Sequence, residues 1–407
     1  MARDPVGGRL IVRDAPAATA SAADDRLFTA DFLFATTANL FNAFGQQMLT
    51  ATLPLYVISL GGTNADAGLV SGALAFTALL LRPFVGWLTD AWRRRPLVLI
   101  GTGCYGLASI VYLLAPTVPL LVLGRVVHGF GLANYTTAAN AYLADIAPPR
   151  RRAEAIGWYA VAMDVGLIVG PAVGFFIASL LGFHQLFYFS AGLAFTAFVV
   201  SIFARERRAP RIGRATWSPR TGIVALDALP LAWTAACLGM GFGPVAAFLS
   251  IFATSRGIGN PGFYFTVQAI ALLSSRSVAG RLADRRGRPF VMIPGILMIA
   301  LALGLLPFAT DFPHFMVSAA LFGVGFGATQ PATQALVVDR VPVEQRGMAM
   351  STYFLGFDAG ISLGSIGLGQ VSQAFGFGVM WPLSAAVVLL GLLGLVAARR
   401  RPVQHGG

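Results

Sequence analysis

The sequence predicts an all-α membrane protein with twelve transmembrane helices in two pseudo-symmetric six-helix bundles. Three observations carry this. Of 407 residues, 56% are hydrophobic and only 11% charged, with a mean hydropathy of +0.72, whereas a soluble domain carries about 25% charged residues. Apolar runs of about 20 residues, each enough to cross a bilayer core of roughly 30 Å, recur along the whole length. The chain also repeats itself. Arg82, Gly86, Leu88 and Asp90 recur at Arg276, Gly280, Leu282 and Asp284, a constant offset of 194 (276 − 82).

Taken in order, residues 1–27 are polar and Ala-rich without an apolar centre. They are expected to form a flexible cytoplasmic tail, not a cleavable signal peptide. Helices are placed at about 29–58, 66–88, 97–115, 118–144, 154–181 and 185–204, then 228–254, 261–283, 290–309, 313–338, 347–374 and 377–398. The first six make an N-terminal bundle over 28–204 and the last six a C-terminal bundle over 228–398. Between them, 205–227 is an Arg- and Pro-rich linker, and 399–407 is a second tail. Further positions keep the offset of 194: Arg152, Tyr159, Asp164, Gly166 and Gly170 recur at Arg346, Tyr353, Asp358, Gly360 and Gly364, and Asp145 recurs at Asp339.

The formal net charge is +12. In a soluble protein that would suggest nucleic acid, but here the basic residues, all arginine, fall in short clusters between apolar runs, such as Arg93 to Arg95 and Arg150 to Arg152. Helix pairs 2/3, 4/5, 6/7, 8/9 and 10/11 are joined by basic loops. The alternate loops have no Arg except Arg256. By the positive-inside rule both termini are cytoplasmic, in the inner membrane. The lack of lysine reflects GC-rich coding, which points to a bacterial source. Cys104 and Cys237 lie in apolar runs of opposite halves, so neither a disulfide framework nor a metal site is implied. There is no nucleotide-binding Gly-Lys-Ser/Thr loop and no catalytic constellation, so an enzyme reading has no support.

Two parallel six-helix repeats joined by a basic linker resemble the major facilitator superfamily, over about residues 28–398. Three motifs carry the resemblance further. Gly86 and Asp90 with Arg93 to Arg95 resemble the family's loop 2–3 motif, and Gly280, Asp284, Gly287 and Arg288 match it better. The resemblance implies a conformational latch: Asp90 would meet the start of helix 11, with Arg93 or Arg94 pairing with Asp145. By symmetry Asp284 would meet the start of helix 5, with Arg288 pairing with Asp339. Such loops would brace the cytoplasmic ends across the two halves. An acid at a helix N-terminus is favoured by the macrodipole. On helix 4, Arg125, Gly129 and Gly131 resemble the family motif whose Arg is associated with proton transfer. On helix 5, Gly166, Gly170, Pro171 and Gly174 resemble the packing motif of the drug:proton antiporter branch, the best sign of export.

The remaining candidates follow from ionisable and polar residues inside apolar helices, which are functional hypotheses by default. Asp164 lies about 11 residues into helix 5, or roughly 16 Å at 1.5 Å per residue, close to the midplane, and Asp358 is its equivalent on helix 11. Buried carboxylates there suit reversible proton binding, or serve as symmetric structural acids. His128, one turn from Arg125, is a relay or a hydrogen-bonded core residue. Asp31 either couples a proton or caps helix 1. Candidate substrate contacts are Asn39, Asn42, Gln46, Asn134 and Tyr159 in the first half. In the second they are Phe242, Gln268, Gln330, Gln334, Tyr353 and Phe357.

The reading is a proton-coupled secondary transporter exporting a small organic molecule by alternating access, with a site near the midplane between the halves. Its partners would be the substrate, protons and membrane lipid. No nucleic acid and no cofactor are called for, the proton gradient supplying energy to a monomer. Uptake by symport is the alternative, lowered because sugar-porter signatures between the halves are not evident. A non-transporting receptor is the third.

Overall fold

A computed structural model describes residues 27–148, 151–206, 225–342 and 345–400, without the side chains of Asp90, Ala153, Arg399 and Arg400. Within them the chain forms twelve long helices: α1 (Ala30–Ser59), α2 (Asn64–Ala91), α3 (Arg94–Leu114), α4 (Val118–Ile146), α5 (Arg152–Leu180), α6 (Phe183–Phe203), α7 (Leu229–Ser255), α8 (Gly262–Arg286), α9 (Arg288–Leu305), α10 (Phe312–Asp339), α11 (Arg346–Phe375) and α12 (Phe377–Arg400). Residues 1–26 and 401–407 of the expected tails and 207–224 of the linker lie outside the described residues.

Local chemistry sets the ends. Thr29 caps α1 by accepting from the Phe32 N–H at 3.3 Å. Thr63 and Asp66 form a reciprocal capping box on α2, satisfying donors that a helix start leaves free. The basic loops are shorter than expected. Only Trp92 and Arg93 separate α2 from α3, and only Gly287 separates α8 from α9. Arginines flanking a span stay helical because their heads reach water while their stems continue the turn. Gly287 reverses the chain at φ 90°, in a region side chains avoid. Pro289 then sits in the first turn of α9, where its missing N–H has no partner to lose.

Eight helices are long and apolar enough to span a membrane by length and composition: α2, α3, α5, α6, α7, α9, α10 and α12. The other four are diluted by polar residues: Asp31, Asn39 and Asn42 on α1, Arg125 and His128 on α4, Arg276 on α8 and Asp358 on α11. Large apolar side chains such as Leu80, Phe195 and Leu363 point outward, as a surface wetted by lipid tails demands.

Each half is packed through small residues. Gly166, Gly170 and Gly174 of α5 lie against Ala43, Phe44 and Met48 of α1, and Gly360 and Gly364 of α11 lie against Ala236 and Met240 of α7. With no hydrophobic drive between helices in lipid, this close backbone approach is what holds them. The two halves, α1–α6 and α7–α12, share one hydrophobic core at the end carrying the Arg-poor loops. There Leu49, Leu53 and Val57 join Val245, Phe248 and Phe252. Gly68 of α2 meets Ser365 and Gly369 of α11, and its repeat Gly262 of α8 meets Pro171 and Ala172 of α5. At the basic-loop end the cores are separate, one around Phe32, Tyr105 and Tyr142, another around Leu231, Val337 and Tyr353. A Cβ added at Gly86, Gly157, Gly280 or Gly347 would meet nothing within 4 Å. The halves are joined at one end and parted at the other.

Candidate functional site

Between the halves lies a cavity of about 240 Å³. The first half contributes Gln46, Gln47 and Thr50 from α1, Ser71 from α2 and Arg125 from α4, while Phe242, Asp358 and Ser365 come from α7 and α11. Phe242 on its wall is backed by Phe326 and Phe357 at ring distances of 5.4 and 6.4 Å.

Two charged groups dominate the cavity. Arg125 is 2% exposed, and its Nε and Nη1 have no hydrogen-bond partner. Its guanidinium lies 5.9 Å from the centre of the Tyr112 ring, a contact that offsets part of the cost of a buried cation. One turn on, His128 is buried, with Nδ1 3.2 Å from the Tyr112 hydroxyl and its ring against Tyr105. His128 and Gln46 also line a recess of about 10 Å³ that includes Asn42, room for about one water molecule.

Asp358 is the other. Its Oδ2 is 3.0 Å from Nε of Arg82, which crosses from α2 and also lies 5.8 Å from the Phe354 ring. The repeat holds a second pair of the same ancestry. Arg276, the copy of Arg82, reaches across from α8 to Asp164, the copy of Asp358, at 3.8 Å. Each bridge therefore joins the two halves, and the two are exchanged by the pseudo-two-fold axis.

The remaining expected site residues are placed elsewhere. Asn39 donates its amide to the Tyr159 carbonyl at 3.0 Å, tying α1 to α5. Tyr159 itself faces Tyr135, hydroxyl to hydroxyl at 3.5 Å. Asn134 turns back to the Phe130 carbonyl of its own helix. Gln268 is buried with Oε1 unsatisfied, and Tyr353 is fully buried against Phe354. Neither Gln330 nor Gln334 lines the cavity. Asp31 is at the basic-loop end, accepting from the Arg205 N–H at 3.1 Å, while Thr29 provides the helix cap.

The expected latch residues close within their own halves. Arg94 Nε is 2.6 Å from Asp145, and its Nη1 donates to the Thr89 carbonyl. Arg93 is the N-cap of α3, with no side-chain cap bond. Arg288 pairs with Asp284 at 2.7 Å and with Asp339 at 3.4 Å. Asp284 therefore faces its own half and not the start of α5, as the parted ends require, and the Asp90 side chain lies outside the described residues. Residues not singled out from sequence as site residues are Arg82, Arg276, Gln47, Thr50, Ser71 and Ser365. The two arginines carried a usable signal, since they repeat at the same offset as the two aspartates.

Comparison with known proteins agrees with this architecture. The profile of the Major Facilitator Superfamily matches residues 35–275 and 231–407. An uncharacterized MFS-type transporter of Methanocaldococcus jannaschii is 25% identical over 370 residues, covering 88% of this chain and 95% of that protein. The quinolone resistance protein NorA of Staphylococcus aureus is 30% identical over 166 residues, 40% of this chain and 42% of NorA. Among solved structures, the nucleoside transporter NupG superposes with a TM-score of 0.77 at 15% identity, covering 90% of this chain and 99% of that one.

Proposed function

The chain belongs to the Major Facilitator Superfamily, an integral membrane transporter and not an enzyme, and from that premise we propose that it exports a small organic molecule by proton antiport. The observation that carries the proposal is the Arg82–Asp358 bridge. A carboxylate at the cavity wall that also ties the halves together can couple two events. Protonating it removes the charge that holds Arg82, so proton binding and the relation of the two halves become one equilibrium. Asp358 is the carrier, Arg125 supplies a fixed positive charge across the cavity, and His128 orients the aromatic wall behind it.

Export, not uptake, is supported by the partial likeness to NorA and by the helix 5 glycines, which seat α5 on α1. The basic loops face the cytoplasm under the positive-inside rule, so the parted end is the cytoplasmic one and the described state is inward-facing. Asp90 and Asp284, with their loops, would engage the opposite half when that end closes.

The test is flux in proteoliposomes, with the cargo found by a thermal-shift screen of small organic molecules. An imposed pH gradient should drive cargo against the direction of proton flow, and a protonophore should abolish the effect. Cargo moving with the protons would establish symport, and flux indifferent to the gradient would refute coupling.

A further inference from the structure

The largest cavity among those described lies away from the central site. It is a groove of about 980 Å³, open sideways between α8 and α9 and floored by α10. Val278 and Phe290 on its rims are 59% and 45% exposed. Its lining is apolar apart from Ser274, Ser275 and, at the basic-loop mouth, Arg286.

The repeat shows that this groove belongs to the second half by sequence. At the offset of 194, Ser274, Ser275, Val278 and Val324 stand where the first half has Leu80, Leu81, Phe84 and Phe130. Each replacement is smaller. The register is secure, because Gly295 and Gly323, which seat α9 and α8 on α10, fall on Gly101 and Gly129, which do the same in the first half. The mouth changes too: Arg286 stands where the first half has Trp92, and Arg285 where it has Ala91. Side-chain volume has been removed along the α8 wall, and of the three arginines that each half carries at this turn, two have moved onto the end of α8 at the groove mouth.

From Ser274 to Arg286 is twelve residues, or about 18 Å of helix, close to the depth of one leaflet of a roughly 30 Å hydrocarbon core. We propose that the groove is a binding site for an anionic phospholipid of the leaflet at the basic-loop end. One tail lies between α8 and α9, and the phosphate is held by Arg286. Arg286 stacks on Phe290, 5.0 Å from the ring centre, which leaves the in-plane N–H groups of the guanidinium to donate to an anion. The site is independent of the proton-coupled cavity and of the direction of transport.

The experiment is native mass spectrometry of the full chain in mild detergent, titrated with phosphatidylglycerol or with phosphatidylcholine of the same tails. The wild type should retain phosphatidylglycerol in preference. Arg286→Gln should reduce that preference about fivefold, the worth of one basic residue near a charged headgroup, and leave phosphatidylcholine unchanged. Ser274→Leu with Val278→Phe, restoring bulk from the first half, should lower retention of both lipids by at least about tenfold, equivalent to two lost methylenes. Equal retention of the two lipids by the wild type overturns the proposal, as does undiminished retention by the filled variant. If the filled variant does not fold, judged by its melting temperature, Arg286→Gln decides alone: an unchanged preference overturns the site.

Discussion

Arg82–Asp358 and Arg276–Asp164 occupy equivalent places in the two repeats, yet they are different interactions. The first is close, at 3.0 Å, with the carboxylate side chain only 8% exposed, and it borders the central cavity. The second is looser, at 3.8 Å, with the carboxylate side chain 13% exposed. The neighbourhood explains the difference. Arg125 lines the same cavity as Asp358, whereas the copy of Arg125 in the second half is Ala319. Duplication therefore preserved the frame of the bridge, while the groups around it diverged. One bridge borders the central cavity, and the other joins α8 to α5 outside that cavity's lining.

The strongest way to break this comparison is to neutralise both acids in turn. Asp358→Asn should abolish flux driven by a pH gradient in proteoliposomes while Asp164→Asn keeps most of it, and equal losses would make the pairs equivalent. Stability should separate them as well. Removing Asp358 leaves Arg82 without its partner, at about 2–3 kcal/mol. That is below the 3–5 kcal/mol of a fully buried pair, because Arg82 is 27% exposed. Removing Asp164 should cost less, about 1–2 kcal/mol, because the lost contact is longer and Arg276 is 35% exposed. Chemical denaturation of the purified variants measures both, and an Arg82→Asp/Asp358→Arg exchange should recover part of the first loss.

Where the halves remain alike, so should their mutants. Gly68→Val and Gly262→Val each drive a side chain into the backbone of the opposite half at the joined end. Both should shift the population toward the state open at that end, seen as increased labelling of cysteines placed along the cavity. A shift from only one would show that the seal has diverged too. The smallest effect concerns helix starts. Thr63 caps α2 from the N-cap position, whereas α8 has Pro261 there and its Gly262 N–H donates to Asn260 Oδ1 at 2.7 Å instead. Thr63→Ala should lower stability by about 0.5–1 kcal/mol, and Pro261→Thr should raise it only if α8 accepts the same cap.

The helices were legible in the sequence because lipid imposes a length and a composition, and the repeat fixed their pairing into halves. Loop ends were less legible: Arg94 and Arg95 belong to α3, since a charged residue at a membrane edge does not by itself end a helix. Within the site, Asp164, Asp358, Arg82 and Arg276 could each be found by their offset. Their crossed pairing could not, because it depends on how α2 docks on α11 and α5 on α8. Thr50 gave no signal, since a membrane threonine ordinarily bonds its own helix, as this one does to the Gln46 carbonyl at 2.8 Å. Asn39 gave a misleading one. A polar residue in an apolar helix can serve the fold as readily as a ligand, and the Asn39 amide is used on the Tyr159 carbonyl.

The chain contains arginine as its only basic side chain besides histidine. A guanidinium keeps its charge under all physiological conditions, whereas a lysine in the same place can surrender it. Each bridge is thus a one-sided switch. Its positive pole is permanent, and only its negative pole can be turned off. Acidification can convert a neutral bridge into a net cation, and no pH a cell experiences can convert it into a net anion. The joint between the halves can therefore be loosened from one direction of the pH scale only.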